Sequence, residues 1–291
     1  MNKTLLIAAL CAAAGLVSSS CTSSSKPAKP TITVSIEPQK WLLERIVGDK
    51  MNVNSILSTG ADPENFEPSI TNMKLLEQSS CYMKIGHFSF EDAIIERITR
   101  NHTDIPIINT SDSVLLIIEH NHGHCNGVHE HGIDPHIWNS AKNARIIAHN
   151  MYKNVVQLDS THTEYYQSNF KQLINLIDSI DSLCMQVLTT AKNHSFIVWH
   201  PSLTYFARDY NLKQIAVGFE GKELSVSETR NIINIIQQER ATVFLVEGKG
   251  NVKRTELIAT EIPSLEISTI NPLNYEWDKE LVHTATAIAG K

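Results

Sequence analysis

The stretch THTEYYQSNFKQLINLIDSIDSLCMQVLTT, residues 161–190, decides how the rest of the chain is read. Its apolar residues Tyr166, Phe170, Leu173, Ile177, Ile180, Cys184 and Val187 follow one another at spacings of 4-3-4-3-4-3, with no Gly or Pro between them. Positions three and four apart share one helix face, so the segment predicts a single amphipathic helix, about 45 Å long at 1.5 Å per residue. On both sides of it strands alternate with helices. Upstream, residues 31–36, 52–57, 81–85 and 105–109 read as strands. One helix opens at Pro38 and closes at Gly48, positions that suit a first turn and a stop. Others cover residues 70–78, 90–100 and 139–158. Downstream, residues 195–198, 214–217, 242–246 and 265–268 are further strands. This rhythm belongs to mostly parallel sheets with helices on both faces. The expected fold is α/β: two Rossmann-like lobes with mostly parallel sheets and separate cores, residues 31–159 and 191–291, joined by one long rigid helix, residues 160–190.

The front of the chain speaks to location. Lys3 gives a positive start, and residues 5–17 form an apolar run too short to span a bilayer. It ends in Ser18-Ser19-Ser20-Cys21. That is the layout of a bacterial secretion signal, residues 1–20. The ending resembles a lipobox, which makes Cys21 the lipidated first residue of the mature chain and residues 21–30 a tether. An ordinary signal peptide with Cys21 incidental is the alternative. The expected place is the periplasmic face of a bacterial membrane, lipid-anchored. The net charge of -6 argues against nucleic acid as a partner. Cys81 and Cys184 fall on apolar segments and read as buried small hydrophobes. Cys125 lies among histidines and could join them on a metal.

Three segments place metal-grade side chains in loops between strand and helix. They are Gly60-Ala61-Asp62-Pro63-Glu64-Asn65-Phe66-Glu67-Pro68, Asp134-Pro135-His136-Ile137-Trp138 and Trp199-His200-Pro201. A tract rich in histidine, His120, His122, His124, His129 and His131, precedes the second; its Gly123, Gly127 and Gly132 suit an exposed loop, residues 119–131. Imidazoles and carboxylates are ligands for zinc and its neighbours. Glu64 and His200 each follow an expected strand, and His136 begins a helix. Ligands of open α/β sheets bind beyond the carboxyl ends of strands, so facing lobes would bring the three into one inter-lobe cleft. Singly, each has an ordinary reading: a solvated loop carboxylate, or a packed histidine.

These segments, in order, resemble the metal-binding solute receptors of bacterial ABC importers, the zinc and manganese class that includes the zinc-uptake binding protein. The matching residues are Gly60-Ala61-Asp62-Pro63 with Phe66-Glu67-Pro68, Asp134-Pro135-His136-Ile137-Trp138, and His200 with Tyr205-Phe206-Ala207-Arg208-Asp209-Tyr210. Val246-Glu247 and Glu220-Gly221-Lys222-Glu223 also match. The resemblance implies two α/β lobes, a long connecting helix and one metal in the cleft; a histidine-rich loop is similar to that of zinc members. It carries over to His136 and His200 residue by residue. Two positions depart from it. Glu64 stands where the family has a histidine after Asp-Pro, and Asn271-Pro272-Leu273 stands where some members have an acidic residue. His87, in another strand-end loop, is a candidate replacement for the missing imidazole, and Glu247 a reserve ligand.

The resulting expectation is a monomeric lipoprotein receptor that captures Zn2+, with Mn2+ possible, and delivers it to an ABC permease and its ATPase without chemistry of its own. The alternatives are a manganese or iron receptor of the same kind, a zinc hydrolase built on His136, His200 and Glu64, and a receptor for an organic ligand or oxyanion. No His-Glu-x-x-His pair supports the hydrolase.

Overall fold

A computed structural model describes residues 29–58, 60–101, 104–118, 132–217, 225–248 and 252–291. The signal segment, Cys21 and most of the tether, Cys125, the histidine tract and residues 220–223 lie outside the described residues.

The first sheet holds β1 (Thr31–Val34), β2 (Asn52–Ser55), β3 (Cys81–Lys84) and β4 (Ile107–Asn109), in the order β2-β1-β3-β4 and parallel throughout. Its helices are α1 (Glu37–Val47), α2 (Ile70–Glu77) and α3 (Ser89–Arg100). Then come α4 (Ala141–Leu158) and, after a short 3-10 turn, α5 (Thr163–Leu188). The second sheet repeats the plan: β5 (Ser195–Val198), α6 (Thr204–Asp209), β6 (Lys213–Ala216), α7 (Val226–Glu239), β7 (Val243–Glu247), α8 (Val252–Glu261), β8 (Glu266–Ile270) and α9 (Trp277–Ile288). Its order is β6-β5-β7-β8, again parallel. In each sheet the chain steps outward from the first strand, then crosses back to its other side. Crevices that receive ligands open at such switch points, at the carboxyl ends of β1 with β3 and of β5 with β7.

The ends of the expected elements moved for local reasons. β1 stops at Val34 because the next two amides turn to a side chain: Ser35 N and Ile36 N donate to Gln39 Oε1 at 3.0 and 3.3 Å, capping α1. Pro38 sits in the first turn of α1, as expected. Gly48 ends that helix at φ +54°, a backbone that favours glycine, and a Cβ there would also push on the Tyr165 hydroxyl. Among the described residues the apolar run at residues 114–118 forms one bridge, Ile118 to Ile133, and Leu115 is 77% exposed.

The long helix exists, with Tyr166, Leu173, Ile177, Ile180 and Cys184 buried along the expected stripe. It spans about 39 Å at 1.5 Å per residue and packs on α1, α4 and α9. It does not separate two cores. The larger core runs from the first sheet through α4 and α5 into α6, α9 and part of the second sheet. Among the described residues a second cluster, around Ile197, Phe244 and Val246 under α7 and α8, stands apart. The reason is α9, which returns to the first half: the Trp277 ring lies 5.3 Å from Trp41, and Tyr275 donates a hydrogen bond to Glu44. Cys81 and Cys184 are buried free thiols; burial pushes both up to about 12, which makes them inert packing groups.

Candidate metal centre

The loop after β2 carries Glu64, the turn before α4 carries His136, and the residue pair after β5 brings His200. Their donor atoms converge. His200 Nε2 is 3.0 Å from Glu64 Oε1 and 3.3 Å from His136 Nε2, and one ligand atom from each residue lies within 4.8 Å of the others. The two imidazoles meet at 64°, centroids 4.9 Å apart. Ligands of a tetrahedral zinc at about 2.0–2.1 Å sit roughly 3.3 Å from one another. The two distances from His200 match that spacing, and the third pair closes to within 4.8 Å.

The hydrogen bonds assign the protons. Asp134, fully buried, accepts from His136 N at 2.8 Å through Oδ1 and lies 2.9 Å from His136 Nδ1. A carboxylate there holds the proton on Nδ1 and leaves Nε2 bare, the orientation a metal-ligating histidine needs. Burial pushes the Asp134 carboxyl up, but the hydrogen bonds and charge of His136 more than offset this, and its pKa lies below the ordinary value. The proton between His200 and Glu64 must leave when a cation binds.

The His136 turn is held by the second half of the chain. Tyr205 on α6 donates through its hydroxyl to Asp134 O at 2.8 Å while accepting from Ile117 N at 3.0 Å. Asn139 Nδ2 donates to Ser202 O at 2.9 Å, and Trp138 Nε1 to Pro272 O at 2.8 Å. Trp277 Nε1 closes the frame on Trp138 O at 2.8 Å. Phe88 and Trp138 wall the His136 ring. Neither the role of Asp134 nor the support from Tyr205 follows from the motifs alone. A carboxylate two residues before a candidate ligand was the available signal for the first; the second is a long-range contact.

The trio lines a cleft of about 810 Å³, shared with Glu247, Asn271, Glu280 and His283. Glu247 ends β7 across the switch point from His200, so it lies near the trio but outside it. Ser202 Oγ donates to its Oε1. Burial raises its pKa, against the opposing effects of Ser202, His136 and His200. Asn271 is engaged in its own turn, accepting from Leu273 N at 3.2 Å and donating through its backbone to Glu280 at 2.8 Å. His87 does not join them. It is exposed, in left-handed backbone at φ 71°, and lines no part of the cleft.

The sequence matches the family described as "Zinc-uptake complex component A periplasmic" over residues 32–284. The chain belongs to that family. It is 23% identical to the high-affinity zinc uptake system protein ZnuA of Bacillus subtilis, over 87% of this chain and 82% of the relative. It is 22% identical to the zinc-binding lipoprotein AdcA of Streptococcus pneumoniae, over 92% of this chain but 54% of AdcA, so it spans about half of that relative. A crystal structure of ZnuA superposes with a TM-score of 0.81 at 29% identity, covering 90% of this chain and 98% of that one. A zinc-bound ZnuA deletion mutant does so at 0.79 and 30%, covering 90% and 97%. The family is a periplasmic metal-binding transport component.

Proposed function

We propose that the chain is an extracytoplasmic receptor whose cargo is a divalent transition metal, zinc ahead of manganese, held by His136, His200 and Glu64. The convergence of three donor atoms, all within 4.8 Å of one another, carries this reading. Two imidazoles and a carboxylate suit zinc, with water or a fourth group completing the tetrahedron. Affinity for divalent ions rises from manganese toward zinc at most such sites. Glu247 is the reserve carboxylate of the cleft, and His120, His122, His124, His129 and His131 form a weaker collecting site.

In the same reading residues 31–159 and 191–291 are the lobes and 160–190 the connector. Cys21 carries the lipid, and the monomeric receptor hands its metal to an ABC permease and its ATPase. In this reading it carries the metal without chemistry of its own.

Zinc should raise the melting temperature at neutral pH, because a ligand confined to the native state stabilises it by roughly 4 kcal/mol at a thousandfold excess over its dissociation constant. The shift should fade on acidification, since imidazole must lose its proton to bind. Elemental analysis with native mass spectrometry should find one tight zinc per chain, retained when residues 119–131 are deleted. A tight site lost on that deletion would move the ligands into the histidine tract.

A further inference from the structure

Asp134 orients His136 through one of its two carboxylate oxygens. Oδ1 accepts from His136 N and faces His136 Nδ1. Oδ2 is buried, and among the described residues no donor meets it in hydrogen-bond geometry. A buried charged oxygen without a donor is costly. Held through Oδ1 alone, the carboxylate can pivot. Held through both oxygens, its plane is fixed, and with it the ring of His136.

Thr204, the first residue of α6, offers the missing donor. Its hydroxyl lies close enough to help hold the Asp134 pKa below the ordinary value. Its neighbour Tyr205 already donates to Asp134 O at 2.8 Å. The start of α6 therefore approaches this carboxylate from the second half of the chain.

The bonds of the hydroxyl fix its oxygen and leave its proton loosely held. Thr204 Oγ1 accepts from Gln214 Nε2 at 2.9 Å, and Gln214 Oε1 accepts from Leu203 N at 2.8 Å. The hydroxyl's own proton goes to Pro201 O at 3.1 Å. Ordinary O–H···O bonds are about 2.5–3.0 Å long, so this one is weak. Pro201 directly follows His200. One hydroxyl thus stands between the His200 turn and the carboxylate behind His136. It has a single proton to give. A cation between the two imidazoles favours the ionised form of the carboxylate behind them, and a bond to an ionised acceptor is about twice as strong as one to a neutral carbonyl.

We propose that Thr204 is a positioning residue of the metal site: in the zinc-loaded chain its hydroxyl turns from Pro201 O to Asp134 Oδ2 and pins the carboxylate that orients His136. This rests on the receptor reading above and adds a residue that sets the affinity of its site.

The test measures zinc affinity of the full chain by chelator competition. Thr204→Val keeps the shape of the side chain and removes the hydroxyl. It should weaken zinc binding about tenfold, the low end for groups that orient a ligand. Thr204→Ser keeps the hydroxyl and should stay within about twofold of the parent. The double variant of Thr204→Val with Asp134→Asn should bind about as weakly as Asp134→Asn alone, because the two residues act as one unit. In the zinc-loaded chain the His136 Nδ1–H proton resonance should move in Thr204→Val and stay in Thr204→Ser; a role confined to the start of α6 would not move it. Crystals of the zinc-loaded parent should place Thr204 Oγ1 about 2.5–2.7 Å from Asp134 Oδ2, which decides the matter if Thr204→Val does not fold. Oγ1 still on Pro201 O overturns the proposal, as does parental affinity in Thr204→Val or multiplied losses in the double variant. A parent that binds no zinc, or binds it unchanged as His136→Ala, overturns the receptor reading and the role of Thr204 with it.

Discussion

His136 and Glu64 offer donor atoms to the same point, but their supports differ. His136 is 4% exposed, its ring oriented by buried Asp134 and its turn fixed by Tyr205, Asn139 and Trp138 to the other half of the chain. Around Glu64 the loop bonds to itself, and Arg97 on α3 holds its end at Pro68 O. Glu64 N and Asn65 Nδ2 both donate to Asp62, at 2.9 and 2.7 Å, and Asp62 and Asn65 are exposed. Its apolar anchor is Phe66, packed edge-on against Phe90 at 5.5 Å. A donor held by many long-range bonds loses little freedom when it binds a metal; a donor whose neighbours bond within their own loop must be ordered further. The comparison assigns the fixed part of the site to His136 and the adjustable part to the carboxylate.

Removing an imidazole should cost most. His136→Ala or His200→Ala should weaken zinc binding by roughly a thousandfold, about 4 kcal/mol, measured by chelator competition. Glu64→Ala should cost less, roughly ten- to a hundredfold, about 1.4–2.8 kcal/mol. Glu64→His should hold or tighten zinc, restoring the residue found in the resembling family. Equal losses at Glu64 and His136 would erase the distinction. Parental binding by Glu64→Ala, with a loss in His87→Ala, would mean that His87 and not Glu64 serves the first half.

The support behind the fixed part should show next. Asp134→Asn removes the negative charge that holds the Nδ1 proton, and should weaken zinc binding about tenfold, the low end for such partners. A wild-type affinity in that variant would leave Asp134 a packing residue only.

The effect furthest from zinc binding, one on stability, concerns Glu91, behind the wall of the His136 ring. This fully buried carboxylate accepts from Ser35 Oγ and from Ile85 N and Gly86 N, both at 2.8 Å, and so holds the turn that carries Phe88. Burial pushes it up to about 7 from an ordinary 4.5, against the opposing hydrogen bonds of Ser35, Ile85 and Gly86. The native state therefore favours the protonated form. Its contribution to stability is fully present below about pH 4.5 and is lost as pH rises through about 7, at most about 3 kcal/mol. In metal-free protein, Glu91→Gln should flatten this part of the stability–pH profile even if absolute stability falls. An unchanged slope would place the titration elsewhere.

Much of this was legible in the sequence because it is local. The stripe from Tyr166 to Cys184 repeats at helical spacing, and the strands are short apolar runs between breakers. Glu64, His136 and His200 each sit beside a proline in a loop at a strand end or a helix start, and those three came together. What escaped depends on distance along the chain. Nothing near Trp277 announces that it lies against Trp41, so the joined core was not foreseen. His87 occupies a strand-end loop just as His200 does, and only the fold turns one to solvent and the other into the cleft. Nothing next to Glu91 announces its burial; its hydroxyl partner Ser35, just past β1, lies 56 positions away in the chain.

The most direct measurement is anomalous diffraction at the zinc edge from crystals of the zinc-loaded protein. One full-occupancy peak is expected between His136 Nε2, His200 Nε2 and a Glu64 carboxylate oxygen, at about 2.0–2.2 Å from each. A principal peak anywhere else, at His87 or between Glu280 and His283, would contradict the assignment.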